Sequence, residues 1–238
     1  MFYKLLKAYK NHGIDMHIGN SKVMSASMAK NGEMMHAGGG AGITDLAFFF
    51  ALNKIFKPSR IFCIGNACGY GTLALAEIFD CPIDAVDCET EGEFNKKGSE
   101  LTRLISKEVY DDKVSLFQGY SPQDLETIIG DKKYDLCFID GEHTNEQQKL
   151  DFDGMQKFMN DSCIFYLHDV EFLKMEEGFM QLETDNKDYN SFSVDFSTFG
   201  CKMMIRNLPI VKEWGEFINE SPIIEWRNIK SEILETII

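Results

Sequence analysis

From about residue 44 onward, short apolar runs alternate with longer stretches in which apolar and polar residues are mixed. Continuous apolar runs of four to eight residues predict strands buried on both faces, and mixed stretches predict amphipathic helices. The predicted strands lie near 61–64, 83–87, 113–118, 134–139 and 162–168. The predicted helices lie near 71–80, 92–108, 122–129, 145–159 and 171–182. Such alternation predicts a parallel sheet between two helical layers, a doubly wound α/β fold.

Two flanking patterns extend this prediction. Thr44 is a suitable N-cap for a helix that runs to about Phe56, just before Pro58. At the other end, SFSVDF (191–196) and CKMMIRN (201–207) predict two strands joined by a short link that contains glycine. The fold class is therefore a mostly parallel, seven-stranded, doubly wound sheet with an antiparallel terminal hairpin.

A glycine turn follows the first buried strand. Gly65, Gly69 and Gly71, with Ala67 between them, give the spacing G-x-A-x-G-x-G, which differs from the G-x-G-x-x-G of dinucleotide enzymes. Glycines at the start of a helix let the backbone approach a ligand closely. Asp87 ends the next strand about twenty residues later, where doubly wound folds place a ribose-binding acid. The pattern is typical of a nucleotide-type cofactor site. The earlier glycine run at 38–42 follows no predicted strand and is interpreted as a flexible connection.

Two further motifs define a family resemblance. FIDGEHT (138–144) ends the fourth strand, and FYLHDV (165–170) ends the fifth. With the glycine turn and Asp87, they resemble the class I S-adenosylmethionine-dependent methyltransferases, and are most similar to the small O-methyltransferases, including the macrocin O-methyltransferase-like group. The resemblance covers roughly residues 43–207 and implies a methyltransferase domain there. Residues 1–42 are then expected to form a lid or oligomerisation segment, and 208–238 a helical tail on the domain or a partner subunit.

The resemblance implies how the cofactor S-adenosylmethionine is held. The methionine part would lie against the glycine turn, the ribose against Asp87, with Glu89 as a weaker substitute, and the adenine against the residues after the third strand. The implied cofactor contacts are Gly65, Asn66, Ala67, Gly69, Asp87, Tyr120, Ser121 and Asp140. Two positions depart from the family pattern: Cys63 stands where many members have an acid, and Ala67 stands where the middle glycine usually falls. Alanine is acceptable there unless the backbone needs a positive φ.

His143 is the candidate general base, because imidazole titrates near working pH. Thr144 and Gln147 form a capping-box pattern, which leaves His143 on the loop just before a helix. Proton removal typically contributes about 10²–10⁴ in rate and positioning of the acceptor contributes more. The alternative is an exposed histidine that merely precedes a helix cap.

Asp140 and Asp169 end neighbouring strands, so their carboxylates are expected to converge. In related metal-dependent enzymes such acids hold Mg²⁺. His168 stands where the macrocin-like enzymes have a carboxylate, and because Mg²⁺ prefers oxygen, His168 either leaves the shell or favours Mn²⁺ or another transition metal. The predicted metal set is Asp140, His168 and Asp169. In the metal-free alternative, Asp140 orients His143 or contacts the cofactor, and Asp169 caps a helix near Val170.

Composition limits the classes of partner that the protein is expected to bind. A net charge of −14 and a pI near 4.8 argue against nucleic-acid or anionic-membrane binding, which leaves a small hydroxylated substrate or another copy of the chain in a homodimer. Seven cysteines without a C-x-x-C pair are typical of reduced thiols in a cytoplasmic protein. The longest apolar run, 46–52, is far shorter than the roughly 20 residues of a spanning helix.

The sequence thus predicts a cytoplasmic O-methyltransferase that uses S-adenosylmethionine, with Asp140 and His143 in the catalytic roles. Two other functions stay open at this point. One is an NAD(P)-dependent oxidoreductase, against which the glycine spacing and the terminal hairpin count. The other is a methyltransferase-like protein that binds a ligand or partner without catalysis, because Cys63 and Ala67 weaken the cofactor turn.

Overall fold

The computed structural model of the chain describes residues 3–18, 26–37, 40–90, 93–197 and 199–209. The helices are α1 (Tyr3–Asn11), α2 (Ile43–Ile55), α3 (Tyr70–Phe79), α4 (Glu93–Val109), α5 (Leu125–Ile129), α6 (Asn145–Gln156) and α7 (Glu176–Asp185). The strands are β1 (Ile14–Ile18), β2 (Ala26–Lys30), β3 (Glu33–Ala37), β4 (Ile61–Ile64), β5 (Ile83–Asp87), β6 (Val114–Gln118), β7 (Tyr134–Ile139), β8 (Met159–Leu167), β9 (Asn190–Val194) and β10 (Cys201–Arg206).

The main sheet has seven strands in the order β6-β5-β4-β7-β8-β10-β9. Strands β4 to β8 run parallel to one another, whereas β10 runs antiparallel to both β8 and β9. The chain moves outward from β4 through β5 to β6 and then returns to β7 on the other side of β4. In such sheets, ligands bind in the crevice at the carboxyl ends of the strands where the order reverses, which here lies beside β4 and β7. The predicted fold class is confirmed.

The central strands are buried because helices cover both faces. All four residues of β4 are buried, and alternate residues enter different clusters: Ile61 and Cys63 pack with α2 and α3, while Phe62 and Ile64 pack with α6. On the first face, Phe49 of α2 lies 4.7 Å from the ring of Tyr166 and 5.9 Å from that of Phe138, measured between centroids. These aromatic contacts fix α2 over the ends of β7 and β8.

Two helix starts differ from the sequence prediction. Helix α2 is capped by Gly42 rather than Thr44, because the Asp45 carboxylate at the third helical position accepts the backbone N–H of Gly42 at 2.8 Å. The helix predicted from 171 begins at Glu176. Residues 170–175 instead form turns, in which the N–H of Leu173 donates to the carbonyl of Asp169. Asp169 therefore does not cap a helix at Val170.

The first part of the chain forms a separate three-stranded antiparallel sheet, β1-β2-β3, which sequence reasoning missed. Its strands are short and rich in methionine and small residues, so the period-2 pattern is weak. The predicted tail lies outside the described residues beyond Pro209, as do Gly38 and Gly39 of the glycine run. Whether residues 1–42 act as a lid or oligomerisation segment stays a prediction. Within the described ranges, no helix is both long and apolar enough to cross a bilayer.

Candidate active site

The turn after β4 depends on two glycines. Gly65 has a φ of +91° and Gly69 a φ of +81°, both in the left-handed region that favours glycine. A Cβ on Gly65 would lie 2.0 Å from the backbone oxygen of Asp140, and one on Gly69 would lie 2.0 Å from Oγ1 of Thr102. The turn can therefore approach both β7 and α4 closely only with glycine at these positions.

Ala67 also has a positive φ, +47°. The sequence prediction accepted alanine here only for a negative φ, so the structure shows a strained position that the family pattern fills with glycine. A left-handed conformation costs a non-glycine residue roughly 1–2 kcal/mol. The carboxylate of Asp87 holds this conformation, because its Oδ2 accepts the backbone N–H groups of Asn66 and Ala67 at 2.8 and 2.9 Å.

Asp87 lies beneath the turn. Besides the two amides on Oδ2, its Oδ1 accepts the backbone N–H of Glu89 at 2.8 Å. These three contacts occupy most of the accepting capacity of the carboxylate. Of these two acids it is Glu89 that lines the adjacent cleft, and its Oε1 lies 3.2 Å from the guanidinium of Arg103. The role of Asp87 as ribose acceptor stays a prediction, and Glu89 becomes a direct competitor for it.

A cleft of about 510 Å³ opens between the ends of β5 and β6. Its lining residues are Cys88, Glu89, Thr90, Lys96, Gln118, Gly119, Tyr120 and Asp124. Tyr120 is 55% exposed, so its ring is accessible to a ligand.

Ser121 does not line this cleft. Its carbonyl accepts the side-chain amide of Gln147 at 2.6 Å. The predicted capping box is half formed: the Thr144 hydroxyl accepts the backbone N–H of Gln147, but the backbone N–H of Thr144 donates to the carbonyl of Glu142.

Four side chains converge at the ends of β7 and β8. Nε2 of His143 lies 3.3 Å from Oδ1 of Asp140 and 3.3 Å from Oδ2 of Asp169. Nδ1 of His168 lies 3.1 Å and 3.2 Å from the same two oxygens. His168 is completely buried, whereas the side chain of His143 is 35% exposed. The structure thus brings together all four residues for which the sequence predicted catalytic or metal-binding roles.

The turn and this acid–histidine cluster share one rim of the sheet. Gly65 lies against the backbone of Asp140, and a Cβ on Gly40 would lie 3.3 Å from Oδ2 of Asp140. The glycine run is therefore not only a flexible connection, since Gly40 lies directly over the cluster. Asp169 has a φ of +58°, a strained conformation of the kind often found at functional sites.

Asp45 is a component of this site that sequence reasoning missed. It belongs to α2, is fully buried, and places Oδ2 at 3.3 Å from Nε2 of His168. Its Oδ1 accepts the hydroxyl groups of Tyr166 and Ser197 at 2.7 and 2.8 Å. A buried acid within an otherwise apolar helix was the available signal, because such a group needs a partner.

Comparison with known proteins identifies this arrangement. Residues 62–170, from β4 to just beyond β8, match a family model described as a methyltransferase domain. This central part of the chain, 109 of 238 residues, is thus similar to a methyltransferase domain. No curated protein sequence matches the chain. The comparisons give no support to the oxidoreductase alternative.

Solved structures show the same fold at low sequence identity. An O-methyltransferase from Bacillus cereus in complex with SAH has a TM-score of 0.57 and 16% identity over 70% of this chain and 83% of that chain. An O-methyltransferase from Streptomyces achromogenes involved in tomaymycin synthesis, in complex with SAM, has a TM-score of 0.54 and 16% identity over 69% and 79%. A putative O-methyltransferase from Klebsiella pneumoniae has a TM-score of 0.54 and 15% identity over 86% and 89%.

Electrostatics in this candidate site favour ionised groups. Burial acts to lower the pKa of His143, but its hydrogen bonds to Asp140 and Asp169 outweigh burial and raise that pKa to about 9. Burial acts to raise the pKa of Asp169, and contacts with His143 and His168 instead lower it to about 2. The pKa of Asp45 is also lowered, since His168, Tyr166 and Ser197 outweigh its burial. His143 is therefore an imidazolium at neutral pH, while the carboxylates of Asp169 and Asp45 are ionised.

Asp151 lies behind the loop that carries Asp140. It is buried on α6, accepts the side-chain amide of Gln147 at 2.7 Å, and a Cβ on Gly141 would lie 3.3 Å from its Oδ2. Burial raises the pKa of Asp151 to about 6. Its charged form is therefore unfavourable in the folded state at neutral pH.

We expect Gly65→Ala to lose cofactor binding and much of its stability, because the added methyl group overlaps the carbonyl of Asp140. Ala67→Gly should instead retain binding and change the free energy of unfolding by about 1 kcal/mol or less, since relief of the positive φ offsets the greater freedom of glycine in the unfolded chain. Urea unfolding and titration with S-adenosylhomocysteine measure both effects. Equal tolerance of the two substitutions would contradict the close approach of the turn to β7.

We expect Asp151→Asn to raise the free energy of unfolding at pH 7 by up to about 2–3 kcal/mol. The folded pKa of Asp151 is raised, so wild type loses stability as the pH rises from about 4 to about 6, and the variant does not. The gain should fall with pH and vanish well below pH 4, where Asp151 is protonated in both states. Urea unfolding at several pH values tests this, with the exposed Asp153→Asn on the same helix as control. A gain that is independent of pH would rule out this origin.

Proposed function

We propose that the protein is an S-adenosylmethionine-dependent O-methyltransferase that acts on a hydroxyl group of a small metabolite, with assistance from a divalent metal ion. One observation carries this proposal: the glycine turn after β4 and the Asp140–His143–Asp169 cluster lie side by side on one rim of the sheet, with Gly65 against the backbone of Asp140. A methyl donor in the turn and an acceptor at the cluster would then be neighbours. The homodimer and the cytoplasmic location remain predictions from the sequence.

The residues around the cleft fit the cofactor. S-adenosylmethionine supplies a methyl group on a sulfonium. Gly65, Asn66, Ala67 and Gly69 form the turn against which the methionine part would lie, and the exposed ring of Tyr120 can stack on adenine. We assign the ribose hydroxyls to Glu89, because it lines the cleft, whereas Asp87 already accepts three backbone N–H groups. Asp87 then acts by holding the turn.

Proton removal falls to His143. Its Nε2 lies 3.3 Å from each of the two carboxylates, and its partial exposure makes it accessible to an acceptor hydroxyl in the crevice. Asp140 and Asp169 orient the ring and stabilise the imidazolium that forms when it takes the proton. Because these charges also raise the pKa of His143 to about 9, the unprotonated base becomes abundant only as the pH approaches that value.

The cluster also fits a divalent ion. Within the part of the chain that the structure describes, Nδ1 of His168 and Oδ1 of Asp169 are buried and have no hydrogen-bond partner. Asp140, Asp169 and His168 could hold an ion through two oxygens and one nitrogen, and His143, the proposed base, lies beside this set. An ion bound there would lower the pKa of the acceptor hydroxyl. It would also offset the negative charge that keeps His143 protonated.

Cofactor binding is the first test. We expect S-adenosylhomocysteine, but not NAD, to raise the melting temperature, with a stabilisation of roughly 2.7 kcal/mol at a hundredfold excess over the dissociation constant. Glu89→Gln should weaken binding by loss of a charged acceptor, while Asp87→Asn should also lower the stability of the free protein. Absence of a shift with S-adenosylhomocysteine would favour a non-catalytic binding protein and overturn the proposal.

Turnover tests the base. We expect His143→Ala to keep cofactor affinity and lose about 10²–10⁴ in methyl-transfer rate, measured as incorporation of labelled methyl into a pool of hydroxylated metabolites. Without added metal ion, the wild-type rate should rise with pH toward about 9, because the active form of His143 is deprotonated, and the variant should lack this rise. His12→Ala is a matched control, since His12 contacts Glu108 on α4. Unchanged turnover in His143→Ala would remove it from the base role.

A further inference from the structure

The buried pair Asp45–His168 fixes which ring nitrogen of His168 faces the carboxylates of Asp140 and Asp169. Asp45 receives a backbone N–H from Gly42 and hydroxyl hydrogens from Tyr166 and Ser197, so its carboxylate acts only as an acceptor. Nε2 of His168, 3.3 Å from Oδ2 of Asp45, must therefore carry a hydrogen. The lone pair of the neutral ring is then on Nδ1, which faces Asp140 and Asp169.

The four atoms that face one another have the spacing of a ligand set. The distances around the ring Asp140 Oδ1, His143 Nε2, Asp169 Oδ2 and His168 Nδ1 are 3.3, 3.3, 3.2 and 3.1 Å. Ligand atoms about 2.1 Å from a common ion and at right angles to one another stand about 3.0 Å apart, and tetrahedral ligands stand slightly farther apart. The spacing around the ring falls within this range.

Nδ1 of His168 makes no hydrogen bond to any described residue, although both carboxylate oxygens are within 3.2 Å. A fully buried nitrogen without a hydrogen bond is unusual, because the loss of hydration is not repaid. Burial acts to lower the pKa of His168, but the charges of Asp140 and Asp45 outweigh burial and raise that pKa well above its usual value, so in the free protein Nδ1 carries a proton between the two carboxylates. An ion bound at this point would replace that proton and meet the lone pair of Nδ1.

We propose that Asp45 is a positioning residue that holds His168 as a nitrogen ligand and so gives the site a preference for a transition metal such as Mn²⁺ over Mg²⁺. The inference rests on the proposed metal-assisted function. It adds to that function the contact that His168 makes with Asp45 through its other ring nitrogen. Histidines that bind metals usually donate their other ring N–H to a carboxylate, which fixes the tautomer and raises ligand basicity. Nitrogen ligands favour transition metals, whereas Mg²⁺ prefers oxygen.

The site would therefore include a helix outside the matched family region. Asp45 lies on α2, whereas the family model covers residues 62–170. Tyr166 joins the two parts, because its hydroxyl donates to Asp45 from the same strand that ends at His168. Ser197, from the turn before β10, holds the carboxylate on its other side. Both contacts restrict rotation of Asp45 and thereby fix the direction of its bond to His168.

Calorimetric titration of the metal-stripped full-length protein with MnCl₂ and MgCl₂ tests the inference. We expect wild type to bind Mn²⁺ more tightly than Mg²⁺, and Asp45→Asn to weaken Mn²⁺ binding about 10–100-fold with little effect on Mg²⁺. His168→Asp should shift the preference toward Mg²⁺. Asp84→Asn is a matched control, because it makes the same change in a buried carboxylate near the opposite end of the sheet, and it should leave both affinities unchanged.

Pulsed electron paramagnetic resonance of bound Mn²⁺ gives a readout that does not depend on the stability of Asp45→Asn. In His143→Ala, nitrogen hyperfine coupling from His168 should persist, and in His143→Ala/His168→Asp it should disappear. Absence of nitrogen coupling in His143→Ala would overturn the inference, as would equal Mn²⁺ affinity in wild type and a folded Asp45→Asn. Wild type that binds S-adenosylhomocysteine but neither ion would overturn both the inference and the metal assistance, while methyl transfer is judged by its own assay.

Discussion

The compensation of buried charge around His168 is the constraint on which the site depends. Three carboxylates, from Asp45, Asp140 and Asp169, lie within 3.3 Å of one fully buried imidazole. Unpaired buried carboxylates would be strongly unfavourable, so helix α2 and the ends of β7 and β8 must keep these positions together. The aromatic packing of Phe49 beneath them supplies the apolar contact that holds α2 in place.

A second constraint is the close approach of the glycine turn to β7. Gly65 contacts the backbone of Asp140, so the turn and the acid cluster share one boundary. Asp87 stabilises the turn from below through backbone N–H groups and leaves Glu89 on the cleft. The division of roles that we propose for these two acids follows from their positions at the strand end. Asp87 is the last residue of β5 and lies under the turn. Glu89, two residues later in the chain, lies at the cleft.

The pattern of apolar runs was sufficient to predict the main sheet, because buried parallel strands are short, continuous and separated by helices. The same pattern did not predict the elements whose local sequence signals are weak. The strands β1 to β3 have no regular alternation, and the start of α7 was placed too early because residues 170–175 resemble a helix in composition but form turns. Thr44 was a good N-cap by residue type, yet the helix is capped at Gly42, because the Asp45 carboxylate accepts the backbone N–H of Gly42. Tyr166 and Ser197, which are distant in sequence, hold that carboxylate in place.

The sequence by itself determined the doubly wound sheet, the glycine turn and the placement of Asp140, His143, His168 and Asp169 at strand ends, because these follow from local periodicity and from the common direction of parallel strands. Tertiary structure alone decided the role of Asp45, which lies 123 positions from His168 along the chain. It also decided the backbone conformation of residue 67 and which carboxylates share one buried histidine. Such properties depend on which elements meet, and contacts between distant segments leave no periodic trace in a single sequence.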